Sequence, residues 1–347
     1  MATPSHLPSN ETDTGIAHLK AAWFESFGTA RRVLRVGDRP KPSPGEGEVL
    51  IELATSAVNP SDVKKRAGSM PELLDEGYVI PHSDGAGIIV EVGEGVDDSR
   101  TGERVWVYQA QHARRLGSAA QFTAIDQRRA VPLPCDTSFV EGACLGIPAM
   151  TAHRCVFADG PVEGQSVLIT GGAGRVGHYA VQWARRGGAR VITTASRPED
   201  VEICLAAGAH AVVNHRLEGW WESVLDHNGG RKLDRIIEVD FAANLGASLE
   251  MIKVGGTIAT YASMSDPQPC LPFYRMMFMD LTLRMVIVYD MPEAAKQQAI
   301  TDITAALESG TLRHLIAQEL PLGDIVRAHE LIEGGGVRGC VVLDTEA

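Results

Sequence analysis

Short apolar runs alternate with helix-period stretches through the second half of this chain. From Val167 to Arg197 it reads VLITGGAGRVGHYAVQWARRGGARVITTASR: an apolar run, a glycine turn, a stretch with Val176, Ala180, Trp183 and Ala184 at helical intervals, and a second apolar run. This pattern predicts strand, turn, amphipathic helix and strand. The alternation continues through VLIT, RVITTA, AVVN, RIIEV and TIATYA, each following a helical pattern, and predicts a doubly wound parallel sheet in an α/β chain. Between Lys20 and Cys144 the pattern changes. Short β-like runs, AAWFESF, EVLIELATSAV, GAGIIVEVG, ERVWVY and AAQFTAI, are separated by turn residues and predict an all-β unit of barrel type. After Pro292 the spacing predicts a long helix to Leu307, a second over Asp324 to Ile332, and a terminal strand CVVL. That strand is expected to return to the first unit, because the parallel sheet is already complete and the β unit needs edge cover. The apolar run TLRMVIVY at 282–289 predicts a sheet-edge strand.

The expected division is therefore a flexible polar tail at 1–18, a β-rich domain at 19–144 with 290–347, and a parallel-sheet domain at 145–289. A chain of 347 residues exceeds the size at which a single core stops growing, which agrees with two domains. No internal repeat is visible.

The glycine turn carries chemistry. Gly172, Gly174 and Gly177, with Ala173, Arg175 and Val176 between them, satisfy G-x-G-x-x-G after a strand and at the start of a helix. Glycine permits the tight turn and lets a pyrophosphate approach the backbone, while the helix start offers N–H groups and a partial positive charge. The second strand then decides which dinucleotide is bound. It ends in Ala195, Ser196 and Arg197, with no acid before Glu199. A carboxylate there would accept from a ribose 2′-OH, whereas a guanidinium and a hydroxyl suit a 2′-phosphate, so NADPH is the expected cofactor. A solvated loop arginine before a helix-starting proline is the competing reading of Arg197. Methyltransferases share the turn but grip a ribose with an acid at this strand end, so the missing acid counts against them. Asp240 and Phe241 follow RIIEV, and Tyr261, Ala262 and Ser263 follow TIAT; both segments are expected to border the nicotinamide at the carboxyl ends of their strands.

Composition adds exclusions. The formal net charge of −12 and the lack of a dense basic stripe argue against nucleic acid or an anionic membrane as partner. Six cysteines without a C-x-x-C pair read as reduced thiols of a cytoplasmic protein. No apolar run is long enough to span a bilayer. The first residues lack the apolar core of a signal peptide.

The runs AVNPSDVKKRAG at 57–68, IPHSDGAGIIVEVGEGV at 80–96 and GERVWVY at 102–108, the cofactor unit, and the ending GCVVLD resemble the medium-chain dehydrogenase/reductase superfamily, and most of all its zinc-independent quinone oxidoreductase, or zeta-crystallin-like, branch. The resemblance runs from Lys20 to Asp344. It implies a GroES-like β-barrel-type catalytic domain, a Rossmann cofactor domain and a homodimer paired through the edge strand. In the zinc-dependent members a Cys, a His and a second Cys hold the metal. Here the matching positions carry Asn59, Ser83 and Ile147, none of them an adequate zinc donor, so no metal is expected. A slipped register would bring His82, Cys144 and Asp62 back as ligands.

Without a metal, hydride delivery to an isolated ketone is difficult, while quinones and α,β-unsaturated carbonyls spread the incoming charge over a conjugated system. The resemblance thus implies NADPH-dependent reduction of a small-molecule quinone or other conjugated carbonyl. A 2-alkenal or enoyl-thioester double-bond reductase, and a non-catalytic NADPH-binding crystallin-like protein, are the alternatives. By match to the family, Asn59, Ser61 and Thr151 are the candidate catalytic residues. Asn59 offers an amide to substrate or nicotinamide, or else caps the turn before Pro60. Ser61 stands at the relay hydroxyl, with Asp62 organising its loop, and Thr151 stands near the domain crossover. His215 matches a position that faces the adenosine phosphate. Ser83 and His82 are further pocket candidates, and Tyr108, Gln109, Phe273 and Tyr274 are candidate pocket walls.

Overall fold

A computed structural model describes residues 18–347. Apart from His18, which opens the first strand, the expected tail lies outside the described residues. In the first half, β1 (His18–Trp23) pairs with β2 (Arg35–Pro40) as an antiparallel ribbon. Five further strands follow: β3 (Glu48–Val58), β4 (Asp84–Val92), β5 (Arg104–Val107), β6 (Phe122–Asp126) and β7 (Ala130–Pro132). Their alternating apolar positions, Val49, Ile51, Leu53, Ile89, Val105, Val107 and Ile125, meet in one fully buried cluster, as period-2 patterning requires.

The second half builds β8 (Ser166–Ile169), β9 (Arg190–Thr194), β10 (Ala211–Val213), β11 (Leu233–Glu238), β12 (Ile252–Thr260) and β13 (Thr282–Met285). They form an all-parallel sheet in the order β10-β9-β8-β11-β12-β13. The order reverses between β8 and β11, which places a crevice beyond the carboxyl ends of those strands. The run at 282–289 is an edge strand only as far as Met285; beyond it the chain turns inward and buries Val286, Val288 and Tyr289.

The last strands, β14 (Ile316–Pro321) and β15 (Cys340–Asp344), rejoin the first half. Val341 to Asp344 pair antiparallel with Val58 to Thr55 of β3, so the predicted return of the terminal strand holds. Helix Glu293–Glu308, by contrast, sends Ala299, Ile303, Ala306 and Leu307 into the cluster that holds Ile169, Tyr179, Trp183 and Ile237 of the parallel-sheet half. Trp106, Tyr108, Val131 and Leu133 of the β-rich half join that same cluster, so the two halves share a continuous apolar core. Among the described residues no helix is long and apolar enough to cross a membrane.

Candidate active site

A helix start, a strand start and a wide turn meet at one buried carboxylate. Helix Pro60–Ala67 begins because Asn59 is extended (φ −114°, ψ 159°), Pro60 fixes the first helical φ, and Asp62 accepts from the Asn59 N–H at 2.8 Å. The Asn59 side chain is left to reach β4, where Nδ2 donates to Asp84 Oδ2 at 2.9 Å. The same oxygen accepts the Ile147 N–H at 2.8 Å from the π-turn Leu145–Ala149. Gly146 makes room, since a Cβ there would stand 2.1 Å from Asp84 Oδ1. Asn59, Ser83 and Ile147, predicted to share a site, therefore do come together, around Asp84.

Both carboxyls are fully enclosed. Burial pushes Asp84 up to about 8, against the hydrogen bonds from Ile147 and Asn59, and pushes Asp62 up to about 6, against the nearby Lys65 charge. Asp84 Oδ1 and Asp62 Oδ1 have no partner among the described residues. Lys65, only 3% exposed, donates to the Gln111 carbonyl at 2.6 Å; burial lowers its basicity, and Asp62 and Asp84 raise it.

The opposite wall is the inward loop beyond β13. Gln109 Nε2 donates to the Val288 and Tyr289 carbonyls at 2.9 and 3.2 Å, which makes Gln109 a tie across the cleft rather than an open pocket wall. The Tyr289 hydroxyl donates to Ser61 Oγ at 3.1 Å and lies 3.4 Å from Ser83 Oγ. Burial pushes its phenol well above the usual range. His112 stacks on the Tyr289 ring with centroids 4.8 Å apart, and also lines a cavity of about 580 Å³ together with Met70, Leu73 and Leu116.

Other predicted residues lie elsewhere. His82 adopts φ +76° and turns away from the cleft; its ring meets Ser56 Oγ at 2.9 Å and His329 Nε2 at 3.0 Å. Cys144 packs with Ala57, Ala143, Cys340 and Val342. Among the described residues no three His, Cys, Asp or Glu side chains converge as metal ligands. Tyr108 is a core residue tilted on Trp106. Phe273 and Tyr274 are 66% and 70% exposed on a surface helix, because nothing beside that short helix covers them. Thr151 is buried in the first turn of helix Met150–Phe157.

The glycine turn leads from β8 into helix Arg175–Arg186, whose N-cap Gly174 supplies no side-chain cap, so the first-turn N–H groups are left for a ligand. A Cβ on Gly172 would stand 2.2 Å from Thr193 Oγ1, and one on Gly177 2.1 Å from the Gly171 carbonyl. Both glycines are thus required by the turn itself. Ser196 is partly exposed and Arg197 exposed at the end of β9. Arg338, from the loop before β15, grips Asp200 with Nε 3.1 Å from each carboxylate oxygen. His215 is exposed beside this group, with its pKa lowered by desolvation and by Arg216 and Arg338. Asp240 accepts from Ser265 Oγ at 2.8 Å, and Ser263 Oγ from the Ala242 N–H at 3.2 Å. Ala262 accepts the Phe241 N–H at 3.0 Å. The Phe241 ring, expected at the nicotinamide, turns instead into the core with Leu168, Ile236 and Leu245; an aromatic at the first helical position is drawn under its own helix. Tyr261 is half-buried at the end of β12. The donors and the open turn fit a dinucleotide pyrophosphate.

Sequence reasoning passes over Asp84 as the meeting point, and over Lys65, His112, Tyr289 and Arg338. The one available signal is for Tyr289, which ends an apolar run at the carboxyl side of a parallel strand.

Residues 45–135 match the family described as alcohol dehydrogenase GroES-like domain, and residues 176–305 the family described as zinc-binding dehydrogenase. Positions 59, 83 and 147 lie outside the second match. Over 332 residues the chain is 30% identical to a quinone oxidoreductase of Rattus norvegicus, covering 95% of this chain and 99% of the relative. It is 27% identical over 297 residues to a crotonyl-CoA reductase of Streptomyces avermitilis, covering 68% and 66%. A mycobacterial structure complexed with NADPH superposes with a TM-score of 0.81 at 28% identity, covering 94% of this chain and 99% of that one.

Asp84, with its folded pKa raised, favours the folded state most fully below the unfolded value near 4 and loses that contribution as pH rises towards about 8. Asp84→Asn keeps the shape and removes the titration. Urea midpoints at pH 5, 7 and 9 are expected to fall less steeply with pH in the variant, and the variant is expected to be the more stable protein at pH 9. An identical pH slope in both proteins would contradict the burial of a titrating carboxyl here.

Proposed function

The chain belongs to the quinone oxidoreductase-like branch of the medium-chain dehydrogenase/reductase superfamily, and from that premise we propose that it is an NADPH-dependent reductase. It transfers hydride to a quinone or other conjugated carbonyl without a catalytic metal. The observation that carries this reading is the group around Asp84. Two of the positions matched to metal ligands spend an amide and a backbone N–H on that carboxyl, and the third is a serine. An acceptor oxygen in this cleft meets hydroxyl and amide donors, which suffice where the acceptor delocalises its own charge.

The bound nicotinamide dinucleotide supplies the hydride. The turn Gly172, Ala173, Gly174, Arg175, Val176 and Gly177 holds its pyrophosphate, and Ser196, Arg197 and His215 face the 2′-phosphate. Asp240, Phe241 through its backbone, Tyr261, Ala262 and Ser263 border the nicotinamide. Asn59, Ser61 and Thr151 orient the reacting groups, with residues 145–289, joined by helix Glu293–Glu308, as the cofactor domain and 19–144 with 309–347 as the catalytic one. The cysteines are free thiols, which suits the reducing cytoplasm. The likeness to a crotonyl-CoA reductase supports a second reading, reduction of an enal or enoyl thioester. The edge of β13 and the exposed side chains of Phe273, Tyr274, Phe278, Met285 and Ile287 suit pairing with a second copy of this chain.

NADPH oxidation is expected with quinones or enones and not with simple ketones; binding of NADPH without turnover on any conjugated acceptor would point to the non-catalytic alternative. Arg197→Ala is expected to raise the KM for NADPH about 10- to 150-fold, the equivalent of one charge-assisted bond of roughly 1.5–3 kcal/mol, with KM for NADH unchanged. Equal effects on both cofactors would remove Arg197 from the 2′-phosphate. Sedimentation is expected to give a dimer that Ile287→Glu and Phe278→Glu dissociate, and a monomeric parent protein would rule out the pairing.

A further inference from the structure

Tyr289 projects from the parallel-sheet half into the β-rich half, and everything around it serves to place its hydroxyl. Gln109 fixes its backbone from across the cleft, and the stacked His112 fixes its ring. The hydroxyl ends between Ser61 Oγ and Ser83 Oγ, within one or two residues of Asn59 and Asp84. Ser61 is only half-buried, so this hydroxyl pair opens towards the cleft. Lys65 Nζ lies 4.6 Å from the centroid of the Tyr289 ring. That ammonium also donates to the Gln111 carbonyl and stands near Asp62 and Asp84, whose charges oppose a phenolate where the ammonium favours one. The cation lowers the cost of the negative charge left behind, and does so in a site where water screens it little.

We propose that Tyr289 is the proton donor of the reduction, hydrogen-bonding the acceptor's carbonyl oxygen and passing its proton to that oxygen as hydride reaches the conjugated system. This rests on the function proposed above. The reduced nicotinamide loses two electrons and one hydrogen nucleus as hydride; the acceptor gains these and the phenolic proton, so that its C=O becomes an O–H. The phenolate is reprotonated from solvent through Ser61, and each turnover takes up one proton. Lys65 is a positioning residue, holding charge over the ring without touching the reacting atoms.

The test is Tyr289→Phe in the full chain, which removes one oxygen atom. The kcat with a polycyclic quinone is expected to fall about 100-fold or more, the usual contribution of a general acid, and the solvent deuterium isotope effect on kcat is expected to change. NADPH affinity, read by fluorescence titration, is expected to stay within about 3-fold, while affinity for the matching hydroquinone, read by calorimetry, weakens. Lys65→Met is expected to lower kcat, and Lys65→Arg to restore most of it. A folded Tyr289→Phe protein with kcat and isotope effect like the parent would overturn the assignment. Should that variant not fold, Ser61→Ala decides: a kcat reduced about 10-fold or more with an altered isotope effect supports the relay, and parental values overturn it. If the parent itself reduces no conjugated acceptor, it is the functional reading that fails, a result distinct from an active Tyr289→Phe.

Discussion

Asp84 has a carboxyl with no access to water, and one of its oxygens, Oδ2, ties together the segments around it. Asn59 Nδ2 and the Ile147 N–H both spend themselves on Oδ2, and Ser118 Oγ donates to the Asp84 carbonyl at 2.6 Å. Leaving any of these donors unpaired would cost a buried polar group its hydrogen bond, about 1–3 kcal/mol. The start of helix Pro60–Ala67, the start of β4 and the π-turn leading into helix Met150–Phe157 therefore have one mutual arrangement. The cleft inherits its shape from that arrangement.

In the proposed reaction, with these donors committed to Asp84, stabilisation of charge on an acceptor falls to hydroxyls and amides placed at the rim. Tyr289 reaches the rim from the other side of the cleft, and its position depends on Gln109, which reads the carbonyls of the inward loop. Catalysis by preorganised dipoles needs such rigidity, because the donors must already stand where charge develops. The shared apolar core, in which Trp106 and Trp183 are both fully buried, supplies it.

Much of the fold is readable from periodicity. The inner strands of the parallel sheet are mostly buried and carry short apolar runs, VLI in β8, VI in β9 and II in β11, and the glycine turn sits between two of them. The strands that escape such reading are β2, β7 and β14, whose sequences RVGDRP, AVP and IAQELP carry too few apolar residues to show a period of two. The site is readable where a motif is local, as in the glycine turn and at Asn59. It is not readable where contacts come from far along the chain. His82 looks like a pocket residue until its positive φ sends the ring to His329, 247 residues away. Phe241 looks like a nicotinamide neighbour until its ring proves to be core. Tyr289 lies 228 residues from Ser61, and no spacing rule links them.

For the proposed reaction, this cleft must reduce conjugated acceptors with organic groups alone. The most direct measurement is the metal content of the purified protein together with its NADPH-dependent quinone turnover before and after exhaustive chelation. No stoichiometric metal and turnover undiminished by the chelator are expected. One tightly held zinc ion per chain, whose removal abolishes turnover and whose return restores it, would contradict that expectation.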